Sequence, residues 1–226
     1  MPCFVRRWTA REGHEPHLGQ ALVDAHEAFV AKSTRLMEGL LYREHGAGRE
    51  FFGVAVYDHP DAVDAPESSG LLASLDPATV AHAERTTDSL EMDPLFDLTA
   101  IGRPSPHGVA GVLVAAPGKA VALTGLLVGL ACEIQHRLAL SRLLVGRAAY
   151  TRSRFFVLLS SPARIDLDGF VRSSLGREHV GTLRPLLSAP PRWYALDPVW
   201  QYLRRETGSW RGPQLQAARD LRERAS

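Results

Sequence analysis

Imidazoles, phenols and a tryptophan in the first half of the chain are the side chains best suited to move a proton or hold a planar ring. His26 follows Leu22 by four positions, in a stretch from Glu15 to Val30 where Leu18, Ala21, Leu22, Ala25 and Phe29 recur at helical spacing with Gln20, Asp24 and Glu27 opposite. That phase aims His26 at whatever the helix covers. There a neutral imidazole takes a proton from a phenol or an activated carbon near neutral pH, and the plainer role is a core histidine hydrogen-bonded to backbone. Tyr42 and Arg43 join His26 as catalytic candidates, the guanidinium because it polarises a phenolate or enolate. Trp8, His45, Tyr57 and His82 are candidates for holding the substrate, Trp8 by stacking on a planar ring. Tyr42 and His45 are an odd number of strand positions apart and face opposite sides, so one pocket cannot take both.

Other chemistries lack their residues. The chain has no P-loop, zinc-ligand spacing, nucleophile elbow or dinucleotide fingerprint, and no metal is expected. The histidines of "HEPH", His14 to His17, have no supporting ligand set elsewhere in the sequence and read as an exposed helix start with Pro16 early in the helix. Twenty-six basic against 25 acidic residues give a net charge of +1, which leaves no electrostatic footprint for nucleic acid or an acidic membrane. Cys3 and Cys132 lie outside any C-x-x-C spacing, and MPCFVRRWTAREG has no apolar signal region, so a cytoplasmic protein with reduced thiols is expected. The apolar run from residue 107 to 135 is cut by Pro117, Gly118 and Lys119, which leaves less than the roughly 20 residues a membrane span needs. It reads as a strand, Val109 to Ala115, a Pro-Gly turn, and a helix from about Lys119 to Leu138.

The elements that must position these residues come twice. At a shift of 104, Arg43 falls on Arg147, Phe51-Phe52 on Phe155-Phe156, and Asp93-Pro94 on Asp197-Pro198. Leu22, Leu36, Leu40, Asp64, Ser69 and Leu71 also meet identical residues. In the first copy Phe4 to Ala10, Leu36 to His45, Phe51 to Tyr57 and Leu95 to Thr99 read as strands, with helices over Glu15 to Val30 and Ser68 to Ser89. The order is β-α-β-β-α-β, the ferredoxin-like unit, and the second copy repeats it to about Leu203. Because "FFGVAVY", "FFVLLSS" and "GVLVAA" are apolar without alternation, both sheet faces must be covered. The expected fold is therefore α+β: two tandem ferredoxin-like domains, 1–104 and 105–207, with antiparallel sheets packed face to face as an intrachain barrel, and a polar tail over 208–226.

This order, the copy length and the tract "LLYREHGAGREFFGVAVYDHPDAVD" resemble the dimeric α+β barrel superfamily, in particular antibiotic biosynthesis monooxygenases and aromatic polyketide cyclases. The resemblance covers both copies and rests on no invariant catalytic motif. It implies a tailoring enzyme for an aromatic or polyketide-like small molecule, a cofactor-independent monooxygenase with His26 as general base. A cyclase is the first alternative. A haem-binding barrel with His82, His136 or His179 as axial ligand, and a non-catalytic binding or assembly protein, are the others. At the 104 shift Trp8, His26, Tyr42, His45, Tyr57 and His82 fall on Val112, Leu130, Gly146, Ala149, Ser161 and Leu186, which assigns the working pocket to the first copy. The same shift makes Ala122, Gly125, Leu126 and Gly129 sheet-facing and turns Val121, Thr124, Val128 and Ala131 outward with Leu127 beside them. Helix 119–138 is then apolar all round, and a homodimer through its outer face is expected.

Overall fold

A computed structural model describes residues 3–31, 33, 35–59, 79–86, 90–99, 107–137, 140–162 and 174–204. Among them the elements run β1 (Cys3–Ala10), α1 (Glu15–Val30), β2 (Leu36–Glu44), β3 (Glu50–Tyr57), β4 (Ala83–Thr86), β5 (Leu90–Thr99) and β6 (His107–Val114). They continue with α2 (Ala120–Arg137), β7 (Arg142–Ala148), β8 (Arg154–Ser161), α3 (Ser174–Leu183) and β9 (Arg192–Leu203). The helix expected over Ser68 to Ser89 lies largely outside the described residues, and its last part is not helical: Ala83–Thr86 is a strand. The reason is an open edge. On one side of β1, β5 pairs only with Cys3 to Val5, and β4 takes up Trp8 to Ala10 beyond it.

Eight strands close into an antiparallel ring in the order β3-β2-β9-β6-β8-β7-β5-β1, with β1 returning to β3. The two sheets expected face to face are thus joined edge to edge, through β2–β9 and β5–β7. Closure leaves no unpaired edge around the ring. Alternate residues divide between two environments. Cys3, Val5, Leu40, Tyr42, Phe52, Val54 and Phe156 fill the interior, whereas Trp8, Leu41, Phe51 and Tyr57 pack outward against α1, and Val109, Leu113, Val145 and Phe155 against α2. Burial on both faces is why the strands read as continuous apolar runs.

Residues 3–99 contribute the order β5-β1-β3-β2 and residues 107–203 the order β9-β6-β8-β7, the same spatial sequence of elements. Pairing register fixes which positions correspond. Cys3 faces Val56 and Met92, while Gly108 faces Ser160 and Leu196. The facing residues are 104 apart, yet Cys3 and Gly108 are 105 apart. Gly13 and Gly118, both at positive φ ahead of their helices, are also 105 apart, as are the buried pairs Leu18/Leu123 and Leu22/Leu127. A uniform shift of 104 therefore rotates the reading of α2 by one residue, about 100°. Leu123, Leu127 and Ala131 are buried, and Ala122, Gly125 and Gly129, expected against the sheet, are exposed.

One end of the interior holds a buried ion group. Arg142 lies 2.8 Å from Glu38 and is also paired with Asp97. By the register of β2 and β7, Glu38 and Arg142 are corresponding positions. Opposite charges thus meet where two identical stretches would bring like charges together. Burial pushes the nearby Cys3 thiol up to about 12, so it stays protonated at neutral pH.

Candidate active site

His26 is buried on the inward face of α1, above the outer face of the sheet. Its Nδ1 is 2.6 Å from the Leu22 carbonyl oxygen. A carbonyl only accepts, so Nδ1 carries the proton, and in the neutral ring Nε2 keeps its lone pair. Burial lowers the His26 pKa below the ordinary imidazole value, against the smaller opposing effect of the Leu22 hydrogen bond, so the ring is neutral at pH 7. Nε2 points at the sheet over Gly53, where an added Cβ would lie 3.8 Å from it. Among the described residues Nε2 has no hydrogen-bond partner.

Two indoles flank the imidazole. Trp8 of β1 stands edge-on to it with ring centroids 6.4 Å apart, and Trp200 of β9 lies 5.2 Å away. Both rings lie over glycines. A Cβ at Gly53 would come within 2.9 Å of the Trp8 ring, and one at Gly39 within 2.7 Å of the Trp200 ring. Trp8 is fully buried, and its Nε1 donor has no partner among the described residues. Such a donor is costly unless something accepts from it. Tyr57 and Phe4 meet edge to face farther along the same face at 5.8 Å, and the Arg6 guanidinium lies 5.6 Å from the Trp8 ring centroid.

The other candidates fall elsewhere. Tyr42 points into the barrel interior, on the opposite side of the sheet from His26, where burial raises its pKa against a hydrogen bond with Ser160. Strand alternation forces this, since Leu41 takes the α1 side. Arg43 shares the face of Phe51, 6.0 Å from that ring, with Nε 3.4 Å from the Gly48 carbonyl at the β2–β3 hairpin. Among the described residues it has no ion pair; Arg147, its counterpart, lies 3.7 Å from Asp93. His45, exposed just past β2, is 2.7 Å from Asp197. His82 sits with His14 and His17 at the start of α1. The structure thus gathers Trp8, His26 and Tyr57 on one face and leaves Tyr42, His45 and His82 outside that group.

Trp200, Gly53 and Arg6 were missed by sequence reasoning. Trp200 comes from the far end of the chain because β9 pairs with β2, so confining the pocket to residues 1–104 excludes it. Its counterpart Phe96 packs against the α2 side in the same way. The α2 side has no comparable chemistry. By register Leu113, Ala131 and Val157 stand where the α1 side has Trp8, His26 and Gly53, and all three are buried aliphatic residues. For Trp8 and His26 these counterparts replace Val112 and Leu130, by the one-residue shift described above. None of His82, His136 and His179 joins the Trp8–His26–Trp200 group: His136 is exposed on α2 and His179 faces Glu133 at 3.5 Å. These residues do not fit a haem held there.

No family model matches the chain, and no curated protein matches it. Solved structures do. A candidate monooxygenase of Fusobacterium nucleatum superposes with a TM-score of 0.70 at 10% identity, over 90% of this chain and 94% of that one. An anthrone oxidase-like protein superposes at 0.65 with 10% identity, over 91% and 94%. A candidate monooxygenase of Lactobacillus acidophilus does so at 0.64 with 8% identity, over 89% and 96%. The chain has their α+β barrel fold. At such identities the likeness extends to the fold and no further.

Proposed function

We propose that the chain is an oxygenase-type enzyme for a planar, hydroxylated aromatic or polyketide-like small molecule, bound between α1 and the sheet, with His26 as general base. The observation that carries this reading is the buried, tautomer-fixed His26 between Trp8 and Trp200, with Nε2 directed at the sheet. Nε2 takes the proton of an activated C–H or phenol. The Leu22 carbonyl supports the resulting imidazolium through Nδ1–H. The substrate carbanion passes one electron to dioxygen, and the radical and superoxide combine to form a C–O bond. Return of the proton and loss of a second from the same carbon break the O–O bond, releasing water and leaving a carbonyl. The balance is one CH2 plus one O2 to one C=O plus one H2O, with no external reductant. The Trp8 Nε1–H is a donor suited to the oxyanion that develops.

In the same reading residues 1–104 and 105–207 are two fused ferredoxin-like units, a reading supported by their common strand order and by Gly13 and Gly118. The second unit is scaffold. An oxygen electrode with an anthrone tests the reaction class. Oxygen uptake with one carbonyl gained by mass spectrometry is expected. Turnover of a poly-β-ketone without oxygen uptake would instead favour the cyclase, and tight binding with no turnover the non-catalytic alternative.

A further inference from the structure

The start of α1 holds a cluster that the proposed reaction does not use. His14, the residue before the helix, His17, one turn on, and His82, just before β4, form a triangle of imidazoles with ring centroids 5.4, 5.5 and 6.0 Å apart. The His14 and His82 Nδ1 atoms are 3.1 Å apart. Two nitrogens bound to one tetrahedral ion at about 2.0–2.1 Å lie about 3.3 Å from each other, with ring centres about 5.2 Å apart. The triangle is close to that size before any ion is added.

The backbone holds two of the three in place. The Arg11 amide donates to the His82 carbonyl at 2.9 Å, and the Arg11 carbonyl accepts from the His14 amide at 2.9 Å. The Arg11 guanidinium donates to the Val80 and Ala83 carbonyls, which tightens the same loop. As they stand, no three His, Cys, Asp or Glu side chains among the described residues are placed to hold a metal ion. His17 is exposed and stacks on His82 at 24°, so rotation of its side chain is what brings in the third nitrogen. The positive end of the α1 dipole and Arg11 oppose a cation. Glu15, in the first turn with its carboxylate near the Gly13 amide, works the other way.

We infer that His14, His17 and His82 form a binding site for a borderline divalent transition ion, with Zn2+ the case to test. Three neutral imidazoles are a donor set suited to Zn2+ and Cu2+ rather than Mg2+ or Ca2+. The site lies about 14–18 Å along α1 from His26 at 1.5 Å per residue, so it acts as a clamp between the β4 loop and the helix and does not depend on the proposed reaction.

The test is calorimetric titration of ZnCl2 into the full chain, free of affinity tag and stripped with chelator. His14→Gln, His17→Gln and His82→Gln are compared with a control at exposed His136→Gln. The expected result is one Zn2+ per chain, bound at micromolar concentration or tighter. Each cluster variant should weaken it by more than the roughly 10–100-fold typical of losing even an outer-shell partner, and the control should not. Zn2+ should also raise the melting temperature of the unaltered protein and not that of His17→Gln, whose exposed position leaves folding intact. Absence of saturable binding, equal affinity in the cluster variants, or binding that survives His17→Gln would each overturn the three-histidine site.

Discussion

Acidification should destabilise the fold through His26, and the size of the effect follows from its burial. The folded-state pKa is lowered by desolvation, while the unfolded chain titrates near the ordinary value of 6.5. Below that value the unfolded state binds a proton that the folded state refuses, so stability is full above pH 6.5 and is lost as pH falls from there toward the folded pKa. The slope reaches at most about 1.4 kcal/mol per pH unit for one such group. In a chain of this size 1 kcal/mol moves the melting temperature by about 2–4 °C. Other groups titrate in the same range, so the quantity to measure is the difference between the unaltered protein and His26→Gln, in urea midpoints from pH 7.5 to 5. The variant should have the shallower decline by up to that slope. Parallel curves would refute a neutral, buried His26.

Other substitutions test neighbouring parts of the account. Gly53→Ala drives a Cβ to within 2.9 Å of the buried Trp8 ring and should cost about 1–3 kcal/mol in denaturant unfolding together with loss of turnover. Gly125→Ala, where an added Cβ meets nothing within 4 Å, should stabilise by about 0.5–1 kcal/mol as an ordinary helix-interior exchange. Arg142→Met leaves the buried Glu38 without its guanidinium and should cost about 3–5 kcal/mol, much of it regained in the Glu38→Met, Arg142→Met double variant. If α2 forms the proposed two-fold contact, light scattering will give a dimer that Val121→Lys, at a position 82% exposed, converts to monomer. Leu127, expected beside that outer face, is instead buried.

The barrel was legible because its signals are local. Gly-rich "GAGRE" falls between β2 and β3, the helix bounds Glu15 to Val30 agree with the periodicity, and uninterrupted apolar strands demanded cover on both faces. No helix among the described residues is long and apolar enough to cross a membrane, so residues 107 to 135 owe their composition to a strand buried on both faces and to the Leu123, Leu127, Ala131 side of α2. What escaped was non-local. A single residue gained before Gly118 and lost again before β7 leaves no mark in composition, yet it turned the predicted face of α2 by one position. Trp200 reaches His26 only because β9 crosses to β2. His82 reaches "HEPH" only because β4 fills the open edge of β1, a pairing that the helix expected there concealed. His26 lies buried against the sheet, where its helical phase put it, whereas strand alternation turns Tyr42 to the inner face of the barrel.

The most direct measurement is a crystal structure with a hydroxylated anthrone bound under anaerobic conditions. The proposed function places the reacting carbon or hydroxyl within about 2.6–3.2 Å of His26 Nε2 or one water away, with a ligand oxygen on Trp8 Nε1. A ligand lodged instead in the barrel interior beside Tyr42, or among the aliphatic side chains beneath α2, would contradict it.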